Sequence, residues 1–523
     1  MHKVQILDCT LRDGGYVNDW HFGKDVITGF IEKISKTNIE CVELGFVKGD
    51  TYDENRSVFP DFDSVKNVLK NKNDNMKYFL MYDMSAPVDM KKFRKCDNQL
   101  IDGVRVIFKK DKIDAAYDVC RQFIQYGYLV SVNFVNTDLY TDDEIIKAIK
   151  KYNELNPYSM AIVDTFGSMK NNKFLHLVEL FDKYLDKNII LTYHAHNNLQ
   201  QAYLNATSFV DLKIDRDIMI DASVFGMGRG AGNLNIELFA EYMNDKYNKN
   251  YHIVPLLEIM DEYLQDIYKT KFWGYSLPLY ISATLNVHPN YAIYFAEKNT
   301  LTEKAMYDIM KSMTYEDKIV YKKNIAEVYY INYMNMSIDD SKDIEKLKKE
   351  FSDKTVLIIA PGKSINEEKQ KIKKLMSDEN IISISVNFYD TDLKTDYLFS
   401  SNMRRYNKLD GKVDCKTIIT SNMKEAKNKN YILNFYDLAI EKNDIIDNSG
   451  LMTIKLLIKL GVKNVKIAGM DGYSENNPYV YKDENTHFDF SSVAIDRNYM
   501  IKKEIENLKN NINIEFITDS IYR

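Results

Sequence analysis

The feature that most limits the fold of this chain is a regular alternation of short apolar segments with amphipathic stretches from residue 3 to about residue 240. Eight segments read as strands: Val4–Asp8, Cys41–Phe46, Lys77–Tyr82, Gly103–Phe108, Leu129–Phe134, Ser159–Asp164, Ile189–His194 and Asp217–Val224. Each interval is long enough for a helix. In Lys24–Thr37, for example, Val26, Ile27, Phe30, Ile31 and Ile34 recur at helical spacing. Eight βα units in this length are the count of a TIM (β/α)8 barrel, with a doubly wound open sheet as the alternative.

The barrel reading brings together polar residues that are distant in sequence. All lie at or near the carboxyl ends of strands, where such barrels place their chemistry. Arg12 and Asp13 follow the first strand, Glu43 lies within the second, and Asp164 ends the sixth. His194 and His196 end the seventh, and Arg229 and Asn233 follow the eighth. The i, i+2 spacing of the two histidines puts both rings on one face of a strand. With Asp13 they form a two-imidazole, one-carboxylate set that suits a catalytic divalent ion with open positions. Plainer roles stand beside these. The histidines could be a half-buried surface pair, Glu43 a structural ion-pair partner of Arg12, and Asp164 a helix cap. The loop Gly228-Arg-Gly-Ala-Gly-Asn233 could bind phosphate, or could form a tight turn presenting Asn233, which is the reading adopted.

A chain of 523 residues exceeds one core, so two or three domains are expected. A formal net charge of −6 gives no general attraction to nucleic acid or membrane. No apolar stretch is long enough to span a bilayer. Cys9, Cys41, Cys96, Cys120 and Cys415 are scattered without a CxxC pair, which suggests reduced thiols and a cytoplasmic setting. The chain runs directly into a strand, so no signal peptide is expected. The expected organisation is a barrel over 1–240 and a helical extension near its mouth over 241–335, carrying His288 and Tyr291. A linker or connecting helix over 336–353 follows, and then a second, open, Rossmann-like α/β domain over 354–523. That domain has strands at Thr355–Ala360, Ile381–Val386, Val465–Ala468 and Ile514–Thr518. Pro361-Gly-Lys-Ser364 forms a glycine turn into a helix whose N-terminus could receive a phosphate, although it lacks the spacing of a Walker A loop.

Five segments, Asp8-Cys-Thr-Leu-Arg-Asp-Gly-Gly15, Val42-Glu-Leu-Gly45, Val163-Asp-Thr-Phe-Gly167, His194-Ala-His-Asn197 and Gly228–Asn233, resemble a known group over about residues 1–300. It comprises the metal-dependent pyruvate aldolase and Claisen-condensation barrels, including 4-hydroxy-2-oxovalerate aldolase, HMG-CoA lyase and isopropylmalate synthase. The resemblance implies that Asp13, His194 and His196 bind a divalent ion, with Asn233 on or near it. Manganese or magnesium is expected, and zinc or cobalt is compatible. It also implies that Arg12 stabilises the enolate oxygen of a pyruvate-like unit and that Glu43 orients Arg12. A metal and a guanidinium aimed at that oxygen stabilise charge that develops in the transition state. The implied activity is an aldolase-type carbon–carbon lyase acting on a 2-oxo acid and an aldehyde or sugar, with Claisen-type acyl transfer as the alternative. Asp164, Arg229, His288 and Tyr291 are candidate substrate contacts. The aldolases place a histidine base soon after the RDG turn. Here Tyr16 follows Gly15 and His21 is the nearest histidine, so Tyr16, His21, His288 and Tyr291 all remain candidates for proton transfer. Helical extensions of such barrels imply a homo-oligomer.

Asn387-Phe-Tyr389, Asn448-Ser-Gly-Leu-Met-Thr453, Ile467-Ala-Gly-Met-Asp-Gly-Tyr473 and Thr486-His-Phe488 are similar to bacterial sialyltransferases of the open α/β type that use a CMP-sugar. The similarity implies a nucleotide or nucleotide-sugar pocket lined by Gly362, Ser364, Asn387, Ser449 and Gly450. It implies His487 at the position of the transferase base, hence glycosyltransferase activity in this domain as a further alternative. The two domains together suggest biosynthesis of a cell-surface sugar.

Overall fold

The fold is described from a computed structural model over residues 3–49, 51–97, 99–212, 214–441, 445–473 and 491–523. The chain forms two compact units, Met1–Asn290 and Tyr291–Arg523.

The first unit contains strands β1 (Val4–Asp8), β2 (Cys41–Val47), β3 (Val58–Phe59), β4 (Lys77–Asp83), β5 (Gly103–Phe108), β6 (Leu129–Phe134), β7 (Ser159–Asp164), β8 (Ile190–Ala195) and β9 (Ile218–Ala222). All pairs are parallel. The order β1-β9-β8-β7-β6-β5-β4-β2 closes on itself because β1 also pairs with β2, aligning Leu7 with Cys41. This is the eight-stranded TIM barrel, and β3 is a two-residue addition to β2. Helices between strands bury one apolar face each. Asp142–Asn153 begins at a capping box made by Thr141 and Glu144 and turns Ile145, Ala148, Ile149 and Tyr152 inward. The β2–β4 ladder shifts register between Glu43 and Phe46. Gly45 lies in this bulge at φ 150°, and a side chain there would overlap the Ser57 carbonyl oxygen.

The second unit carries strands β10 (Thr355–Ile359), β11 (Ile381–Val386), β12 (Tyr397–Ser400), β13 (Lys416–Thr420), β14 (Tyr431–Leu433), β15 (Asn464–Ala468) and β16 (Asn513–Phe516). The sheet is open and all parallel, in the order β14-β13-β12-β11-β10-β15-β16. Chain order reverses at β10, between β11 and β15. Strands β12, β13 and β14 are additional to those expected, and each is five residues or shorter. The expected helical extension 241–335 falls partly in each unit. Residues 336–353 contain the helix Ser341–Glu350, which buries Ile344 and Leu347. Its Asp343 accepts the Ile432 backbone N–H at 3.0 Å, and Asp340 accepts that of Asn434 at 2.9 Å, which ties this stretch to the end of β14. Among the described residues, no helix is long and apolar enough to cross a membrane.

Candidate functional site

The first chain segment after β1 makes a tight turn that holds Arg12 and Asp13 over the barrel. Trp20 Nε1 donates to the Arg12 carbonyl at 2.7 Å, and Ser57 Oγ donates to the Leu11 carbonyl at 2.6 Å. Gly15 is required here because a side chain would occupy the space of the Trp20 indole. The Arg12 guanidinium is 3% exposed. Its Nε donates to Glu43 Oε2 at 2.7 Å and its Nη1 to Asp13 Oδ1 at 2.6 Å. The Phe46 ring lies 5.8 Å from the guanidinium carbon. Two charge-assisted hydrogen bonds and an aromatic wall leave this cation one orientation.

Asp13, His194 and His196 are all buried, and each offers a ligand atom within 4.8 Å of the others. His194 lies in β8 and His196 one residue beyond it, with ring centroids 5.4 Å apart and the planes nearly perpendicular. Asn233 joins them through a backbone bridge to His196, and its Nδ2 donates to the Met227 carbonyl at 3.1 Å. Gly228 permits this approach, since a Cβ there would collide with the Asn233 amide and lie 2.9 Å from Asp13 Oδ2. Asp13 Oδ2, His196 Nδ1 and Asn233 Oδ1 are buried without a hydrogen-bond partner. Unpartnered buried oxygen and nitrogen acceptors are what a divalent ion would satisfy, so the residues present fit a metal centre. Burial opposes ionisation of Asp13, but the Arg12 and Arg229 cations outweigh it and hold the carboxyl well below its usual range. Burial lowers the His196 pKa to about 3, with Arg229 acting in the same direction and Asp13 against it, so the imidazole is neutral. A neutral ring can donate its lone pair to a metal.

Sequence reasoning missed Arg105 and Asp221. Arg105 projects from β5 into the barrel and is fully buried. Its guanidinium donates to Glu43 Oε2 at 3.1 Å, to Asn133 Oδ1 at 3.2 Å and to Asp221 Oδ2. The same Asp221 oxygen is 2.9 Å from His194 Nδ1. Arg105 therefore connects the carboxylate that aims Arg12 to the one that aims His194, leaving His194 Nε2 for a ligand. A charged residue alone in an apolar strand, as in Gly103-Val-Arg-Val-Ile-Phe108 or Ile218-Met-Ile-Asp-Ala222, is the available sequence signal.

The remaining predicted residues fall in different places. Arg229 is half-buried, donates to the Thr165 carbonyl at 3.2 Å and stands 5.3 Å from the Tyr16 ring centroid. Desolvation raises the Tyr16 pKa, so its phenol keeps its proton at neutral pH. His288 packs edge-on to Phe166 at 5.7 Å. Burial, with Arg229, Lys109 and His196, holds it neutral, well below the usual imidazole range. His21 is exposed, its ring between the carboxylates of Asp19 at 3.7 Å and Asp53 at 3.9 Å. Asp164 closes the turn after β7 by accepting the N–H groups of Ser168 and Met169 at 2.9 and 3.0 Å. Burial and Asp138 push its pKa up to about 8. Tyr291 belongs to the second unit, where its hydroxyl donates to the Val320 carbonyl at 3.2 Å.

Also in the second unit, Gly362, Asn387, Ser449 and Gly450 line one cleft. The Ser364 hydroxyl is instead bonded to Asp471 and Thr518, closing the β10–β15 junction. His487 lies outside the described residues.

Residues 3–261 match the HMGL-like family. The chain is 23% identical over 237 residues to a protein named oxaloacetate decarboxylase from Mycobacterium tuberculosis, covering 44% of this chain and 67% of that one. It is 21% identical over 271 residues to a 4-hydroxy-2-oxovalerate aldolase from Geobacillus genomosp. 3, covering 50% and 77%. A 2-isopropylmalate synthase from Geobacillus sp. is 23% identical over 252 residues, covering 45% and 46%. The crystal structure of the N-terminal domain of a putative aldolase from Bacteroides vulgatus matches 56% of this chain and 96% of its own, at 25% identity and a TM-score of 0.47. The barrel, its strand-end residues and the family match agree: over residues 3–261 this chain belongs to the HMGL-like family, whose members include aldolases, lyases and acyltransferases.

Proposed function

We propose that the barrel is a divalent-metal-dependent aldolase-type lyase that makes or breaks a carbon–carbon bond through the enolate of a pyruvate-like 2-oxo acid. The observation that carries this reading is the buried Arg12 guanidinium, fixed by Glu43 beside the Asp13, His194 and His196 donor set. Asp13, His194, His196 and Asn233 would hold the ion, with manganese or magnesium expected. When bound, the ion supplies Lewis-acid charge at the substrate oxygen. Arg12 stabilises the negative charge that develops there as the bond changes, and its hydrogen bonds mean that it need not reorganise to do so. Arg229 is the cation for the substrate carboxylate. Tyr16 and neutral His288 serve as proton donors to the substrate. The His288 Nδ1 accepts the Asn290 N–H at 3.2 Å, which places the ring proton on Nε2. Two relatives bear names that refer to 2-oxo acids, which supports this substrate class. The second substrate is an aldehyde or sugar, and the acyclic carbon framework so formed would suit carbohydrate biosynthesis.

The test is exchange of the pyruvate methyl protons in D2O, followed by NMR, together with Mn2+ titration. Exchange should require the metal, and Asp13→Ala should lose both exchange and tight Mn2+ binding. Undiminished exchange after chelation, or wild-type Mn2+ affinity in Asp13→Ala, would overturn the proposal. The similarity to a 2-isopropylmalate synthase favours a second reading, Claisen-type acyl transfer. Metal-dependent release of free thiol from acetyl-CoA in the presence of a 2-oxo acid would select it.

A further inference from the structure

On the basis of the lyase activity above, on which this assignment rests, we propose that Lys109 selects the second substrate: an aldehyde with an anionic group, phosphate or carboxylate, remote from its carbonyl.

Strand parity places this lysine. Arg105 projects from β5 into the barrel, and Ile107 and Lys109 share its side. Lys109 keeps an extended backbone, φ −88° and ψ 164°, so the alternation continues one residue past the strand. The Val135 N–H donates to the Phe108 carbonyl at 3.0 Å and anchors this end of β5. Register then relates Lys109 to the histidines. Ile107 pairs with Asn133, Asn133 with Ala161, and Ala161 with Thr192. Two residues beyond Ile107 and Thr192 stand Lys109 and His194, so each holds the next inward-facing position at the carboxyl end of the barrel. They lie three strands apart, roughly 14 Å around the wall. That separation suits the remote end of a substrate whose reacting end is at the histidines.

The charge at this position is unbalanced. Arg12 is paired with Glu43 and Asp13, and Arg105 with Asp221. Lys110, of opposite parity, is paired with Glu144. Among the described residues, Lys109 has no ion-pair partner. Asp83, the inward carboxylate of the adjoining strand, lies opposite Ile107, and its Oδ1 accepts the Ser85 N–H at 2.8 Å. Lys109 and Arg229 both oppose protonation of His288, so the two cations surround one ring. Arg229 is the proposed partner of the 2-oxo acid carboxylate. Lys109 is the cation left over, and an inward cation without a counter-charge favours a substrate of opposite sign. Its ammonium is a point charge that takes phosphate or carboxylate from several directions. In the reaction the pyruvate methyl carbon loses a proton and bonds the aldehyde carbon, and the aldehyde oxygen gains a proton. The anionic group is unchanged, so Lys109 acts through binding.

The experiment follows addition of pyruvate to matched aldehydes by NMR with Mn2+ present. Glyceraldehyde 3-phosphate is compared with glyceraldehyde, and succinic semialdehyde with butanal. Exchange of the pyruvate methyl protons in D2O is recorded separately for every protein. In at least one pair the anionic member should have a kcat/KM at least about tenfold above its neutral partner, and that pair identifies phosphate or carboxylate. Added salt should shrink the preference, since Lys109 is exposed. Lys109→Met should reduce the preference roughly tenfold, chiefly through KM, and Lys109→Arg should retain most of it. With wild-type exchange intact, equal use of charged and neutral partners, or no addition to either anionic aldehyde, would overturn the assignment. An undiminished preference in Lys109→Met would do so as well. A loss of exchange in Lys109→Met as large as its loss of addition would place the lysine on the pyruvate half and also overturn it. Absence of metal-dependent exchange in the wild type would overturn the lyase activity itself, and the assignment with it.

Discussion

Replacing Arg105 with methionine tests whether one buried cation supports both the fold and the proposed metal centre. The methionine fills much of the volume but removes the hydrogen bonds to Glu43, Asn133 and Asp221. Glu43 keeps Arg12 and Asp221 keeps His194, so each carboxylate retains one partner while losing the cation between them. Removing one partner from a fully buried ion pair costs about 3–5 kcal/mol, mostly because the remaining charge is left desolvated. For a unit of this size, each kcal/mol lowers the melting temperature by roughly 2–4 °C, so a fall of roughly 6–20 °C is expected. Asp221 also loses the cation that fixes it behind His194, and loss of such outer support weakens metal binding by about 10–100-fold. Scanning calorimetry and Mn2+ titration on the same preparation measure both effects. Adding Asp221→Asn should recover part of the stability, since the stranded charge is removed, without restoring metal affinity. A melting temperature within about 1 °C of wild type in Arg105→Met, or unchanged Mn2+ affinity, would refute the reasoning.

Arg12→Lys should lower turnover by about 10²–10³-fold with little change in metal affinity, because an ammonium cannot keep both the Glu43 contact and the oxygen-facing position. Steady-state kinetics beside Mn2+ titration will show this. His288→Ala should lower turnover by roughly 10–100-fold without creating a new limb near pH 6.5 in the rate profile, since the wild-type ring is already neutral there. Asp8 is buried and its pKa is pushed up to about 7 by desolvation, from 3.8 in the unfolded chain. The folded state therefore holds the extra proton, so this contribution is full below about pH 4 and is lost as pH rises through 7. Asp8→Asn should flatten that decline, which is on the order of a few kcal/mol, in urea unfolding followed from pH 4 to pH 8.

Much of the barrel was legible because its strands are apolar runs with polar ends. Gly103–Phe108, Leu129–Phe134 and Ser159–Asp164 have the boundaries that the pattern indicates. In the second unit, β12, β13 and β14 are too short for their periodicity to stand out from the surrounding loops. The grouping of Asp13 with His194 and His196 followed from strand ends alone. Arg105 and Asp221 did not, because a single charge inside a strand shows no partner until the barrel closes. Tyr16, His21 and His288 could not be ranked from the sequence, since their differences lie in burial: His21 is exposed between two carboxylates, while His288 is enclosed near Arg229. Proton affinity at Tyr16 and His288 belongs to the tertiary environment.

The bulge at Gly45 determines which side chains Arg12 meets. In an uninterrupted strand, Glu43 and Phe46 have opposite parity and would face opposite sides of the sheet. The register shift between them cancels that parity, and both reach the same guanidinium, Glu43 through its carboxylate and Phe46 through its ring. One residue without a side chain thus turns a two-sided strand into a one-sided clamp. Any replacement of Gly45 therefore acts on the aim of Arg12 through the strand that carries Glu43 and Phe46.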